Sequence, residues 1–241
     1  QKDKDIEWQS AYLAPGYTQP DPSFDLSKYL NVQAAAGLKN GTDYNWWDAA
    51  TNPGHIQDNQ LSISGATDKT SYYISGGYTK QNGYIVNDAF SRKSVRINLQ
   101  TKVTDWFTVG AQTFGSFTNY SGTPLNMSLV YLTSPLVAPY DSTGAFVPYP
   151  NGGAINPFFQ SFDNSFDHRN SLLGNFYAIV DIPFIKGLSY RVNYGNDYFW
   201  TQQYVSNPYG GGLTGGATKY NASQYDYTLD NIVTYKRDFN H

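Results

Sequence analysis

From Gln60 onward, apolar and polar residues alternate with a period of two. Leu61 and Ile63 alternate with Gln60, Ser62 and Ser64, and Tyr72, Ile74, Gly76 and Tyr78 with Ser71, Tyr73, Ser75 and Thr79. Val95, Ile97 and Leu99 alternate with Ser94, Arg96, Asn98 and Gln100, and Phe107, Val109 and Ala111 with Thr108, Gly110 and Gln112. Three more runs follow: Leu172 to Ile182, Leu188 to Tyr194 and Tyr225 to Val233. A side-chain period of two places successive residues on opposite faces of a strand, so the pattern predicts seven strands, each with one apolar and one polar face. Residues 1–58 lack any sustained period, and Pro15-Gly16, Pro20, Pro22, Gly41 and Pro53-Gly54 punctuate them as loop. One short helix is expected there over 23–38, with Ser23 as N-cap and Leu26, Tyr29 and Leu30 on one face. The expected division is a loop-rich 1–58 followed by strands over 59–241.

Strand length and loop length refine this picture. Several runs continue for ten or more residues before a breaker, whereas a globular strand usually has about 5–6 and a tilted membrane-spanning strand about 9–11. Connections alternate between tight (67–70, 102–105, 184–187) and long (82–91, 119–168, 202–221). Short turns on one edge and long loops on the other characterise an outer-membrane barrel. Tyr72, Tyr78, Trp106, Phe107, Tyr198, Trp200, Tyr225 and Tyr235 are placed to form its aromatic girdles. The predicted architecture is all-β: an antiparallel up-and-down transmembrane β-barrel segment. A soluble β-sandwich or carbohydrate-binding module would alternate too, but apolar faces rich in Gly and Tyr (Gly65, Gly76) make a poor interdigitated core. Seven strands are too few and too odd in number to close. An open sheet in hydrocarbon would leave two edges of unpaired N–H and C=O groups, so the rest of the wall is expected on another segment or chain.

Composition agrees with that reading. Only 15% of the 241 residues are charged, the net charge is −3, and Gly and Tyr number 22 each. Mean hydropathy is −0.51, and no run approaches the ~18 apolar residues of a spanning helix. A basic footprint for nucleic acid is absent. Zero cysteines exclude disulfides, thiolate metal sites and cysteine nucleophiles. The sequence opens at Gln1 with no initiator Met or signal peptide, and a processed chain or a piece of one is expected.

Specific words in the sequence carry a resemblance. Gln57-Asp58-Asn59-Gln60-Leu61-Ser62-Ile63-Ser64-Gly65 is followed by Thr70-Ser71-Tyr72-Tyr73-Ile74-Ser75-Gly76-Gly77-Tyr78. Then come Asn82-Gly83-Tyr84-Ile85, Phe90-Ser91-Arg92-Lys93-Ser94-Val95-Arg96-Ile97-Asn98-Leu99 and Val103-Thr104-Asp105-Trp106-Phe107-Thr108-Val109-Gly110. This order resembles the SusC/RagA family of TonB-dependent outer-membrane transporters. Upstream, Thr42-Asp43-Tyr44-Asn45-Trp46-Trp47-Asp48 resembles the segment preceding that strand pair; downstream, Tyr131-Leu132-Thr133-Ser134-Pro135 and Tyr140-Asp141 fit its long helical outer loop. The resemblance covers about 42–240 and implies a plugged barrel of about 22 strands in the Gram-negative outer membrane. The implied partners are the remaining barrel and plug, a SusD-like surface lipoprotein, the TonB complex and outer-membrane lipid. The implied cargo is an oligosaccharide or oligopeptide, and a dimer of transporter–lipoprotein pairs fits the family. The chain departs from the family in extent, with no plug or TonB box. A passive porin would share the wall without the plug.

Candidate chemistry is sparse. His55, His168 and His241 form no close pair, and no enzyme activity, metal or cofactor is expected. Asp163 to His168 lacks the spacing and Gly of a calcium loop and reads as solvated loop. Gly210 to Gly216 lacks the Gly-Lys-Ser/Thr ending of a phosphate loop. Asn-x-Ser/Thr triplets starting at Asn40, Asn119, Asn126 and Asn221 are polar loop composition. Asp181, Asp197, Asp226 and Asp230 fall on the polar face, where a water-filled lumen accommodates charge better than a glycosidase pair is argued. With tight turns taken as periplasmic, the polar-face residues near the outer ends are Thr79, Gln81, Arg92, Ser94, Phe114, Asp197, Phe199 and Asp226. The 119–168 loop adds Tyr120, Tyr140, Tyr149, Phe158 and Phe159. Of these, Arg92, Phe114, Tyr120, Tyr140, Tyr149, Phe158, Asp197 and Phe199 are the candidate substrate contacts, because aromatic faces and planar polar groups recognise sugars and peptides. Trp46-Trp47 is read as loop packing. The competing function is a soluble β-rich glycan-binding or glycan-degrading protein, which would fold alone in plain buffer.

Overall fold

Alternating apolar and polar side chains have their lowest free energy on a sheet whose two faces meet different surroundings, and the chain forms such a sheet. A computed structural model describes residues 25–238; Ser23 and the Pro15–Pro22 turns, like His241, lie outside them. The strands are β1 (His55–Ala66), β2 (Thr70–Asn82), β3 (Ala89–Thr104), β4 (Phe107–Asn119), β5 (Asn164–Asp181), β6 (Leu188–Asn207) and β7 (Gly216–Tyr235). They form one seven-stranded sheet in sequence order, every neighbouring pair antiparallel. The only register irregularity in these ladders is a bulge between Lys102 and Thr104.

The register carries the two faces unbroken across the sheet. Leu61 lies opposite Gly76, Gly76 opposite Val95, Val95 opposite Gly115, Gly115 opposite Leu172, Leu172 opposite Tyr198 and Tyr198 opposite Tyr225. On this apolar face Leu61 is 81% and Val233 70% exposed, and among the described residues no second sheet covers it. The opposite face carries Ser75, Arg96, Phe114, Leu173, Asp197 and Asp226 in one register row. Ile56, Leu173, Ile179, Val205 and Ile232 are its large aliphatic exceptions.

Several strands run beyond their expected ends. β5 begins at Asn164, so 164–168 are strand where the sequence reads as loop, and β6 and β7 extend to Asn207 and from Gly216, narrowing the 202–221 loop to a short connection. Across β2, β4, β6 and β7, Tyr78, Phe117, Tyr198, Trp200 and Tyr225 line up on the apolar face roughly ten residues from the short-turn end. Tyr198 stacks on Trp200 at 5.2 Å, Phe117 meets Trp200 edge-on at 6.1 Å, and the Tyr194 and Tyr225 hydroxyls touch. Past this row the same face carries Lys80 and Lys219.

The long-loop end bears a second, helical region. Residues 26–38 do not form one helix: Leu26–Tyr29 is a 3-10 turn capped by Asp25, Leu30 is extended, and α1 (Val32–Asn40) starts afresh where the Asn31 side chain accepts from the Ala34 N–H. Gly41 ends α1 at φ 69°, a left-handed cap that glycine adopts without Cβ strain. Asn45 and Asn126 cap α2 (Trp46–Ala50) and α3 (Met127–Leu132) in the same way. These helices, residues 85–86 and the 120–163 loop enclose the principal apolar core: Ala34, Trp46, Ala50, Leu125, Val130, Leu136 and Val137. The Trp46 indole N–H donates to the Ser134 carbonyl at 3.0 Å, and the Tyr44 N–H to Pro135 at 2.8 Å. Trp46 thus packs as expected, but Trp47 is 55% exposed.

Candidate functional site

The polar face of the sheet holds three guanidinium–ring pairs, which are all those found among the described residues. Arg169 lies over Tyr120 at 4.9 Å, Arg96 over Phe114 at 5.4 Å and Arg191 over Tyr177 at 4.3 Å. Each pair joins adjacent strands, Tyr120 standing one residue past the end of β4, and alternation brings them to one side: β3 offers even-numbered residues there, β4 even and β5 and β6 odd. The three pairs occupy three heights of one wall.

Nearest the long loops, Arg169 forms a two-pronged ion pair with Asp167, at 2.9 Å from Nε and 2.7 Å from Nη2. The Gln203 amide donates to the same carboxylate at 2.8 Å. Phe90 packs on the far edge of Tyr120, centroids 5.1 Å apart. A cavity of about 260 Å³ opens beside this cluster, bounded by Tyr120, Asp167, Gln203 and Tyr220.

At mid-height, a shallow depression of about 420 Å³ is lined by Arg96, Asn98, Gln112, Phe114, Asn175 and Asp197. Two expected contacts, Phe114 and Asp197, therefore share one site, with Arg96 over the Phe114 ring. Asp197 sits directly across from Asp226 in the β6–β7 ladder. Like charges so placed repel, and Asp226 is held back by the Gln224 amide, which donates to it at 2.6 Å.

Nearest the short turns, the Tyr177 ring lies flat over Gly110, where a Cβ would meet the ring at 2.1 Å. Its hydroxyl donates to Gln100 at 2.8 Å, and Arg191 covers it while donating to Asn193 at 2.6 Å. Tyr177 is 9% exposed, the most buried large side chain of the sheet. This cluster braces the wall.

The other candidates divide. Arg92 and Phe199 stand exposed on the polar face. Tyr140 and Tyr149 are exposed in the long loop, Tyr140 edge-on to Phe146 at 5.9 Å. Phe158 is drawn against Trp46 at 5.9 Å and packs on the loop core, so its ring is committed to packing. Burial also pushes the Tyr44 phenol up from its ordinary value, with a smaller contribution from Tyr140. Asp163 accepts from Asn207 at 2.6 Å and Asp167 from Arg169 and Gln203, so both carboxylates of that stretch are engaged in side-chain hydrogen bonds. Among the described residues, no three His, Asp or Glu side chains gather as metal ligands. Arg96, Arg169, Asp167 and Gln203 escaped the sequence reading as contacts. Arg96 shares its phase with Arg92, and Asp167 with Arg169, but nothing local shows which rings they meet across the sheet.

No family model matches the chain. Over 232 residues it is 27% identical to TonB-dependent receptor P3 of Formosa agariphila, a match covering 89% of this chain and 23% of that protein. TonB-dependent receptor P26 of the same organism is 25% identical over 138 residues, 55% of this chain and 14% of that protein. The chain therefore spans less than a quarter of the length of either curated relative. The fold is similar to two solved structures. One is the RagAB peptide importer in its closed-closed state (TM-score 0.66, 24% identity, 82% of this chain, 24% of that one). The other is the RagAB peptide transporter (TM-score 0.67, 23% identity, 100% of this chain, 28% of that one). Sequence and fold together agree with the resemblance carried by residues 57–110: the chain is similar in sequence to part of two TonB-dependent receptors and in fold to part of the RagAB barrel.

Proposed function

We propose that the chain is part of the wall of a TonB-dependent outer-membrane importer. The observation that carries this is the sheet's two-sidedness: one continuous face exposes aliphatic and aromatic side chains, the other Arg, Asp, Asn and Gln. An uncovered apolar face of this extent is stable against lipid and costly against water. About ten residues from the short turns to the aromatic row, at ~3.3 Å each and tilted ~40°, span roughly 25 Å, the height of an outer-membrane apolar band. The lysines past that row fit the interface. The long loops and helical region then lie outside the cell, and the polar face lines the lumen.

Both β1 and β7 are edge strands within the described residues. In hydrocarbon their free N–H and C=O groups, each costing several kcal/mol unsatisfied, require further strands on both sides. Seven strands of about 22 make the chain roughly a third of a closed wall. The cargo is an oligosaccharide or oligopeptide: the likeness to a peptide importer favours the peptide. A surface lipoprotein capping the loops and a plug driven by TonB complete the device, and transport breaks no bond.

The test is fractionation of the source bacterium followed by mild detergent extraction. The expected result is recovery in the outer membrane, solubility only with detergent, and co-migration with a surface lipoprotein. Recovery as a stable species in plain buffer would falsify the proposal and restore the glycan-binding alternative.

A further inference from the structure

We propose that Arg92 and Arg96 of β3, with Phe114 beside them on β4, form a subsite for carboxylate groups on the cargo. This rests on the polar face lining the transport passage. The three lumen-side guanidinium–ring pairs are not equivalent. Arg169 is neutralised by Asp167, and Arg191 is engaged by Asn193 as well as by Tyr177. Arg96 has only the face of Phe114, and Arg92 has no hydrogen-bond or ion-pair partner among the described residues.

Their direct neighbours on the polar face, Ser75, Thr79, Ser94, Ser116 and Thr118, are neutral. The carboxylates of that face stand at least two strands from β3: Asp58 on β1, opposite Thr79, Asp167 and Asp181 on β5, and Asp197, Asp226 and Asp230 on β6 and β7. Two strand spacings are about 10 Å of backbone at ~4.8 Å each, more than the ~8 Å screening length at physiological salt. Asp167 is taken by Arg169, and none of the others forms an ion pair with Arg92 or Arg96.

The chemistry at β3 suits a carboxylate. A guanidinium lying on an aromatic face keeps a fixed plane, and its N–H fork matches two carboxylate oxygens. The Asn98 and Gln112 amides in the same depression can serve the neighbouring polar groups of the ligand. Arg92 and Arg96 stand four positions apart, about 13 Å along the strand, which spaces the two cations for acidic groups about four residues apart on an extended peptide. Carboxylates of this kind occur on acidic peptides and on uronic-acid sugars.

The intact transporter, purified in detergent with its lipoprotein, is titrated calorimetrically with pentaglutamate and with pentagalacturonate. Uncharged pentaglutamine and maltopentaose serve as length-matched references. The expected result is that at least one acidic probe binds more tightly than its neutral counterpart and weakens as salt rises. Binding of pentaglutamate alone assigns the source to peptide, and of pentagalacturonate alone to sugar. Arg96→Gln should weaken acidic binding roughly tenfold, the loss of one charge-assisted contact, and Arg96→Lys less, while any neutral binding is unchanged. The proposal is overturned if neither acidic probe binds above its reference. It is equally overturned if Arg96→Gln lowers barrel stability but leaves acidic binding per folded molecule intact, since Arg96 would then answer a carboxylate of the lumen filling. Because membrane fractionation is read separately, failure here leaves the importer reading standing.

Discussion

The sheet and the helical region at its long-loop end obey opposite rules of burial. The helical region has a water-soluble interior: Trp46, Ala50, Leu125, Val130, Leu136 and Val137 are nearly sealed, and its buried Asn156 amide donates to the Pro139 and Val147 carbonyls. The sheet has almost no sealed apolar side chains. Its strands are held by backbone ladders, and its apolar residues point outward. One chain thus uses hydrophobic side chains in two ways, as the filling of a sealed core and as the covering of an open sheet face. The two regions meet through directed contacts. Asn207 donates to Phe159 and Asp163, and Phe146, Phe162 and Tyr209 pack within 5 Å of one another.

If that contrast is right, truncating the filling should loosen the helical region and spare the wall. Trp46→Ala removes the largest side chain of the core and its bond to Ser134, a change worth about 3–5 kcal/mol at a buried aromatic. Proteolysis of the 120–163 loop should accelerate sharply, while the heat-modified gel shift of the folded barrel is retained. A charge on the covering separates the two faces directly. Ile97 and Asn98 are neighbours in β3 on opposite faces, Ile97 42% exposed. Ile97→Arg should cost about 2–4 kcal/mol at mid-membrane and Asn98→Arg little, read from refolding into lipid vesicles; equal costs would refute the assignment of faces.

Within the wall, Gly110→Ala pushes a methyl group into the Tyr177 ring. Displacing the ring from Gln100 and Arg191 should cost about 1–3 kcal/mol, seen as faster unfolding of the barrel in urea. The smallest effect is one of pH. Asp141 accepts from the Thr143 hydroxyl and from the Thr143 and Ala145 N–H groups, and the Thr143 hydroxyl bond, first among these, holds its carboxyl below the usual range. A lowered folded pKa means that this support is present above the unfolded value of ~3.9 and is lost as pH falls through the folded one. Amide protection factors at Thr143 and Ala145 should fall only under acid, with the Trp46 core unaffected.

Legibility in the sequence followed the same division. Where each strand meets two different surroundings, alternation is obligatory, so Tyr72 to Tyr78 and Val95 to Leu99 announce themselves. Beyond the aromatic row both faces turn polar, as at Gln202, Gln203 and Asn221, and the period that would mark a strand disappears. The helical region was hidden for another reason. Its helices are short, are started by Asn31, Asn45 and Asn126, and are stabilised by a core drawn from separated segments. Phe114 and Phe158 looked alike as aromatic candidates. One faces the depression on the polar face, and the other packs beside Trp46.

By itself the sequence determined the strand count and, up to the aromatic row, which side chains share a face, because both are set by neighbours along the chain. The tertiary structure alone decided which arginine is neutralised and which stands open, which aromatic is filling and which is surface, and how the N-terminal helices join the long loop. Those outcomes depend on pairings across strands and between distant segments, whose energies appear only once the register is formed.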